Sequence, residues 1–113
     1  MSNLRNQIQL IGNVGQDVEI VTFESGKKLA KFSLATNETY KDAEGIKQTK
    51  TEWHNLIAWG NVGEIIEKYV KKGSEIAIQG KLTYNKFEDK NGNKRSKTEI
   101  VVSEIVMFGK KEE

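Results

Sequence analysis

Apolar residues recur mostly at every second position, with one interval at helical spacing. From Asn6 to Val14 the pattern predicts a strand, with Ile8 and Leu10 on one face and Ile11 opening a more buried end. Gly12 and Gly15 bracket Asn13-Val14 and predict a bend or bulge. Val18 to Phe23 alternates weakly and Ser25-Gly26 turns the chain. Leu29 to Thr36 returns with Ala30, Phe32 and Leu34 on one side, a spacing that suits a hairpin. Asn37 to Thr51 is polar, holds Gly45 and lacks a sustained pattern, so it reads as a long loop. A loop of that length in a small domain is more often functional than idle.

Glu52 to Trp59 alternates again: Trp53, Ile57 and Trp59 share one face, and His54, Leu56 and Ala58 the other. Asn61 to Lys72 changes period, with Val62, Ile65, Ile66, Tyr69 and Val70 forming one stripe of a helix. Asn61 is placed to cap it, with Glu64 as the reciprocal partner; Glu64–Lys68 and Glu67–Lys71 are favourable i,i+4 pairs, and Gly73 is the expected stop. Ser74 to Phe87 is a long strand with Ile76, Ile78, Leu82 and Tyr84 on one side. Asn91-Gly92 signals a hairpin, and Lys94 to Phe108 returns with Ile100 and Val102 opposite Val101 and Ile105. A strand of that length extends roughly 46 Å at ~3.3 Å per residue, so the tip of this hairpin should protrude. The expected fold is all-β: a five-stranded Greek-key barrel of the OB type, with one α-helix between strands three and four and long protruding hairpins. Another small α+β barrel fits the same pattern.

Composition narrows the chemistry. The chain has 113 residues, enough for one domain, expected over residues 1–108 with a short charged tail at 109–113. It has no cysteine, which removes disulfide scaffolds, zinc–thiolate sites, iron–sulfur clusters and cysteine nucleophiles. No apolar run approaches the ~18 residues of a membrane span, and the polar N-terminus is no secretory signal, so a cytoplasmic protein is expected. Proline is absent, but ten glycines can supply the turns.

Enzymatic readings find little support. A hydrolytic nucleophile needs an adjacent base, and the single histidine, His54, sits on a strand between tryptophan positions, where a hydrogen-bonded or interface role suits it better. Gly12-x-x-Gly15 lacks the lysine and the helix of a phosphate loop, and the acidic residues are scattered among lysines. No metal site and no cofactor are expected.

The aromatics are more informative. Phe23, Phe32, Tyr69 and Phe108 fit core positions. Tyr40 lies in polar company, Phe87 sits between Lys86 and Glu88-Asp89, and Trp53 and Trp59 share a face with Asn55. Such aromatics suit base stacking, although the tryptophans could equally cover a barrel end or a subunit contact. The net charge of +2 says little, but its distribution says more. Lys81 to Lys97 holds six basic residues against two acidic, and Lys27 to Lys50 six against three, in the segments that carry Phe87 and Tyr40. Lysines interleaved with aromatics combine phosphate neutralisation with stacking, and ordinary solvated hairpins would look similar. With only two arginines and no recognition helix, sequence-specific duplex reading is not expected.

Five blocks carry a family resemblance: Gly12-Asn13-Val14-Gly15-Gln16-Asp17, Phe32-Ser33-Leu34-Ala35-Thr36-Asn37, Thr51-Glu52-Trp53-His54, Tyr69-Val70-Lys71-Lys72-Gly73-Ser74 and Gln79-Gly80-Lys81-Leu82. Their order and spacing, from about Asn6 to Val102, resemble the bacterial single-stranded DNA-binding proteins. The resemblance implies an OB-fold, a homotetramer and single-stranded DNA wrapped around it. It implies Trp53 and Trp59 as stacking positions, with Tyr40 and Phe87 where many members carry tryptophan. Lys86 matches a basic position beside a stacking aromatic, and His54 a subunit contact. Val18 stands where a proline is common, and Asn55 and Thr83 where members often have arginine. The chain ends at Lys110-Lys111-Glu112-Glu113 rather than in an acidic tip, so recruitment of replication and repair proteins through such a tail is not expected.

The expectation is therefore a sequence-independent binder of single-stranded DNA in replication, repair or recombination, associated with the nucleoid. Tyr40, Trp53, Trp59, Tyr84 and Phe87 would take bases, with Lys31, Lys47, Lys50, Lys81, Lys86, Lys94 and Arg95 facing the strand. Asn6, Ile8, Leu10 and His54 would lie at the subunit interface, the first strand pairing with its copy. An OB-fold protein-docking subunit with weak DNA binding, and an RNA-preferring binder, are the alternatives.

Overall fold

The computed structural model describes residues 5–108; the charged tail expected at 109–113 lies outside the described residues. Its elements run β1 (Ile8–Val14), β2 (Glu19–Thr22), β3 (Lys28–Lys41), β4 (Lys47–Trp59), α1 (Gly60–Tyr69), β5 (Glu75–Glu88) and β6 (Lys94–Met107). The strands form one sheet in the order β1-β5-β6-β4-β3-β2, and β1 also pairs with β3 at Asn13–Ala35 and Val14–Leu34. That extra pairing closes β1, β5, β6, β4 and β3 into a five-stranded barrel. The short β2 lies along β3, and α1 follows the third barrel strand. The expected architecture is observed. A parallel seam of two residue pairs, Leu56–Ile100 and Ile57–Val101, joins β4 to β6.

Alternation selects the core. Ala30, Phe32 and Leu34 of β3, Leu56 and Ala58 of β4, Ile76 and Ile78 of β5, and Ile100 and Val102 of β6 are buried together with Val14 and Ile66. Burying such apolar surface is the main favourable term in folding. On α1 only part of the predicted stripe turns inward. Ile66 and, just past the helix end, Val70 are buried, whereas Ile65 and Tyr69 are exposed. Gly63 lets the helix approach β4, because a Cβ there would lie 2.8 Å from the Ala58 carbonyl oxygen.

Several local expectations are corrected. Asn37–Thr51 is not a loop: β3 and β4 pair without interruption from Leu29–Trp59 out to Lys41–Lys47. Both faces of that outer ribbon are solvated, so no apolar alternation marks it. There are thus two protruding hairpins rather than one, and the radius of gyration, 16.3 Å, exceeds the ~13 Å of a compact chain of this size. Trp59, not Asn61, occupies the N-cap position, and no side chain caps the helix. The helix stops at Tyr69, so Lys71 lies beyond it. Gly73, at φ 91°, turns the chain further on, and its N–H donates to the Val14 carbonyl at 2.8 Å. A bulge at Gln79/Gly80 pairs Gln79 with Glu104 and Gly80 with Val102, passing over Ser103. The bulge reverses the alternation of β6, so Ile105 packs toward the core beside Ile100 and Val102 instead of opposite them. Of the four aromatics assigned to the core only Phe32 is there; Phe23, Tyr69 and Phe108 are exposed.

All three antiparallel hairpins turn in the same way. Gly26, Gly45 and Gly92 have φ of 93°, 81° and 83°, and each donates its N–H to the carbonyl three residues earlier, of Phe23, Asp42 and Asp89 respectively. Those same residues donate N–H to Lys27, Ile46 and Asn93. Among the described residues only glycines have positive φ. Asn91-Gly92 therefore forms a three-residue connection with one left-handed glycine, rather than the two-residue turn that needs two left-handed positions.

Candidate nucleic-acid interface

Register sorts the candidate residues by face. Ala35 pairs with Trp53, Ser33 with Asn55 and Lys31 with Ile57. These form the outer face of the β3–β4 ribbon, opposite the core. Ile57 pairs with Val101 across the seam. Lys81 pairs with that same Val101, Asn85 with Lys97 and Phe87 with Arg95 on the equivalent face of β5–β6. One continuous face therefore carries Trp53, Trp59, Phe87, Lys31, Lys81, Arg95 and, nearer the β3–β4 tip, Lys47. Tyr40 pairs with Gln48, and Tyr84 with Thr98. Tyr40, Tyr84, Lys50, Lys86 and Lys94 thus lie on the other face of their ribbons, continuing outward the side that forms the core nearer the barrel.

Trp53 is 62% exposed, more than a core tryptophan would be. Its ring lies over Gly15, where a Cβ would collide with it. Gly15 is fixed beneath the ring by its N–H, which donates to the Ser33 carbonyl at 3.0 Å. Trp59 stacks on Phe23, with ring centroids 5.7 Å apart and planes 21° apart, and both remain partly exposed. Phe23 was missed by its pattern alone, since it alternates with Val21 as a strand-end core residue would.

Tyr40 and Phe87 stand near the tips of the two long hairpins, each two residues before an aspartate. The Asp42 carboxylate accepts the N–H of Glu44 at 2.9 Å, the N–H of Ile46 at 3.0 Å and the Gln48 side-chain amide at 3.1 Å. The Asp89 carboxylate accepts the N–H of Asn91 at 2.9 Å, the N–H of Asn93 at 2.9 Å and Arg95 Nε at 2.8 Å. These bonds favour the charged form. The Ile46 amide, then Gln48 and Glu44, hold Asp42 below the ordinary aspartate value of 3.8. Arg95, then the Asn93 and Asn91 amides, do the same for Asp89.

Two of the candidate cations are engaged within the chain: Lys50 Nζ lies 3.3 Å from Glu52, and Arg95 meets Asp89. Lys31, Lys47, Lys81, Lys86 and Lys94 form no ion pair among the described residues. Between the ribbons, Lys31, Ser33, Asn55, Lys97 and Glu99 line a recess. Glu99 is 6% exposed, and Lys97 approaches it at 3.9 Å. Lys97 and Glu99 were missed as site residues, though their two-residue spacing from Arg95 was a readable signal that they share its face.

The residues expected at a subunit interface have partners inside this chain. Asn6 exchanges two hydrogen bonds with the Leu82 backbone, at 2.9 and 2.8 Å. Ile8 and Leu10 pack against the core. His54 Nε2 and Thr36 Oγ1 share a 3.0 Å hydrogen bond. β1 pairs with β5 along one edge from Ile8 to Asn13, and its other edge meets β3 only at Asn13 and Val14. Beside that edge Ile11 and Val106 are exposed. Among the described residues no helix is long and apolar enough to cross a membrane, and no group of acidic or histidine side chains could hold a metal ion.

With this geometry in place, comparisons with known proteins converge. The sequence profile of the Single-strand binding protein family matches residues 5–108. Single-stranded DNA-binding protein 1 of Xylella fastidiosa (strain 9a5c) is 43% identical over 96% of this chain and 80% of its own length. Single-stranded DNA-binding protein 1 of Chlorobaculum tepidum is 41% identical over 95% of this chain and 67% of its own. Among solved structures, the Plasmodium falciparum SSB complex with ssDNA superposes with a TM-score of 0.84 at 33% identity, covering 96% of this chain and 97% of that one.

Proposed function

The chain belongs to the single-strand binding protein family, and from that premise we propose that it binds single-stranded DNA by base stacking and phosphate neutralisation without reading sequence. Membership in this family makes it a DNA-binding protein rather than an enzyme. The observation that carries the mechanism is Trp53: a 62% exposed indole at the centre of a face shared with Trp59, Phe87, Lys31 and Lys81. Every base has a π-face, so stacking tolerates any sequence, and lysines along the face release counterions from the phosphates. Tyr40, Tyr84, Lys50, Lys86 and Lys94 belong to the other face of the ribbons, so a strand that engages both sets passes around a hairpin edge. Arg95 and Lys50 contribute less to phosphate neutralisation than the unpaired lysines, because carboxylates already hold them.

Titrating intrinsic tryptophan fluorescence with oligo-dT at low and high salt tests this. Strong, saturable quenching that salt weakens is the expected result. Absence of quenching at low salt would refute the stacking mechanism and favour a protein-docking role.

The same reading extends to assembly. A second copy would pair along the open edge of β1 between Ile8 and Gly12, and Ile11 and Val106 would be covered as copies associate into a tetramer. Light scattering that gives a mass near the 12.8 kDa of one chain at micromolar concentration would overturn it. Work on exposed strands in replication, repair or recombination, at the nucleoid, follows from the same binding.

A further inference from the structure

The two long hairpins share a chemical device that the third lacks. Asp42 and Asp89 bind the amides two and four residues on and the side chain six residues on. Phe23, at the equivalent place in the β2–β3 turn, has the same backbone bonds and no carboxylate to offer. Each aspartate also follows an aromatic by two residues. The side chain it holds belongs to the residue directly across the ribbon from that aromatic: Gln48 faces Tyr40, and Arg95 faces Phe87. Side chains opposite one another in an antiparallel pair are near neighbours. Phe87 and Arg95 accordingly line one recess at their tip. Both captured groups are planar, an amide in one hairpin and a guanidinium in the other.

We propose that Asp42 and Asp89 are positioning residues for single-stranded DNA: each fixes a planar polar group beside a fingertip aromatic, so that a base meets a prepared two-part platform, Tyr40 with Gln48 and Phe87 with Arg95. The proposal rests on the stacking mechanism above. Its physical basis is preorganisation. A free Arg or Gln loses rotamer freedom when it settles on a base, whereas one already held by a carboxylate has lost it beforehand. Guanidinium planes and aromatic rings both stack on unpaired bases. The charge at the β5–β6 tip argues for the same role. Asp89 neutralises Arg95, so a tip designed only to attract phosphate would be better without the aspartate.

That opposition of sign makes the test decisive. Asp89→Ala adds one net positive charge and frees Arg95. If Arg95 served only phosphate attraction, the variant would bind oligo-dT more tightly with a steeper salt dependence. Positioning predicts weaker binding, most visible at high salt, by up to the roughly tenfold that part of one stacked base is worth. The loss should vanish in a Phe87→Ala background, which a purely structural role would not produce. Asp42→Ala should behave likewise against Tyr40→Ala. Asp42→Asn should restore binding, because its oxygen still accepts both amides and the Gln48 amide can turn over to match it. Thermal unfolding of each variant checks folding, and Asp89→Asn repeats the charge change with the shape kept. Wild-type binding with Asp89→Ala and Asp89→Asn equal or tighter overturns the proposal alone. Failure of the wild type to bind oligo-dT overturns the stacking mechanism and the proposal with it.

Discussion

The Trp53 ring rests on Gly15, and the absence of a side chain at Gly15 is what makes room for it. A Cβ there would also lie 2.9 Å from Ser33 Oγ, so it could not escape sideways. Gly15→Val should therefore tilt or expel the indole while leaving the core strands intact. Its oligo-dT affinity should fall by no more than the ~1–3 kcal/mol of one stacked base, with an altered tryptophan emission maximum. Wild-type affinity in a folded Gly15→Val protein would show that the ring's seat does not matter.

Trp53→Ala removes the platform itself. Because the indole is largely exposed, the loss should fall on binding rather than stability, at roughly 1–3 kcal/mol. A change below a few tenths in isothermal titration would rule Trp53 out as a stacking position.

Leu34 illustrates the opposite case. It is fully buried, at 0% exposure, between strands that close the barrel. Leu34→Ala should lower unfolding stability by about 2–5 kcal/mol, read by denaturant titration, with the binding face unaltered in whatever fraction remains folded.

Acid should release the fingertips late. Asp42 and Asp89 both have folded values below 3.8, so the stabilisation they give is complete above the ordinary carboxylate range. It is lost as pH falls through their lowered values. NMR titration should place both carboxyl groups below 3.8, with the amides of Ile46 and Asn93 moving in step. Titration of either group at or above its ordinary value would mean that its tip is open in solution.

Much of this was legible in the sequence. The alternation of Ala30, Phe32 and Leu34, and of Ile76 and Ile78, gave their strands and their buried faces. The exposed aromatics announced themselves by polar company. The outer half of the β3–β4 ribbon did not, because a ribbon wet on both sides has no apolar period to read. The bulge at Gly80 was hidden for a related reason. A single inserted residue, Ser103, inverts the face of everything after it while each half still alternates correctly. Phe23 looked like core because sequence cannot tell a ring that packs inward from one that supports another ring at the surface. The fingertip carboxylates were visible as Asp42-Ala43-Glu44-Gly45 and Asp89-Lys90-Asn91-Gly92, but only the hydrogen bonds show that the two segments do the same thing.

The two-pair seam between β4 and β6 has a kinetic consequence. The hairpins β3–β4 and β5–β6 are made of neighbours in the chain and can form early, each turning on its own left-handed glycine. Leu56 and Ile57 must then find Ile100 and Val101 across an intervening helix and strand, a search that carries a greater loop-closure penalty and is made after local pairing. Weakening the seam should therefore hasten unfolding far more than it slows folding. The barrel would open there first, parting two intact hairpins.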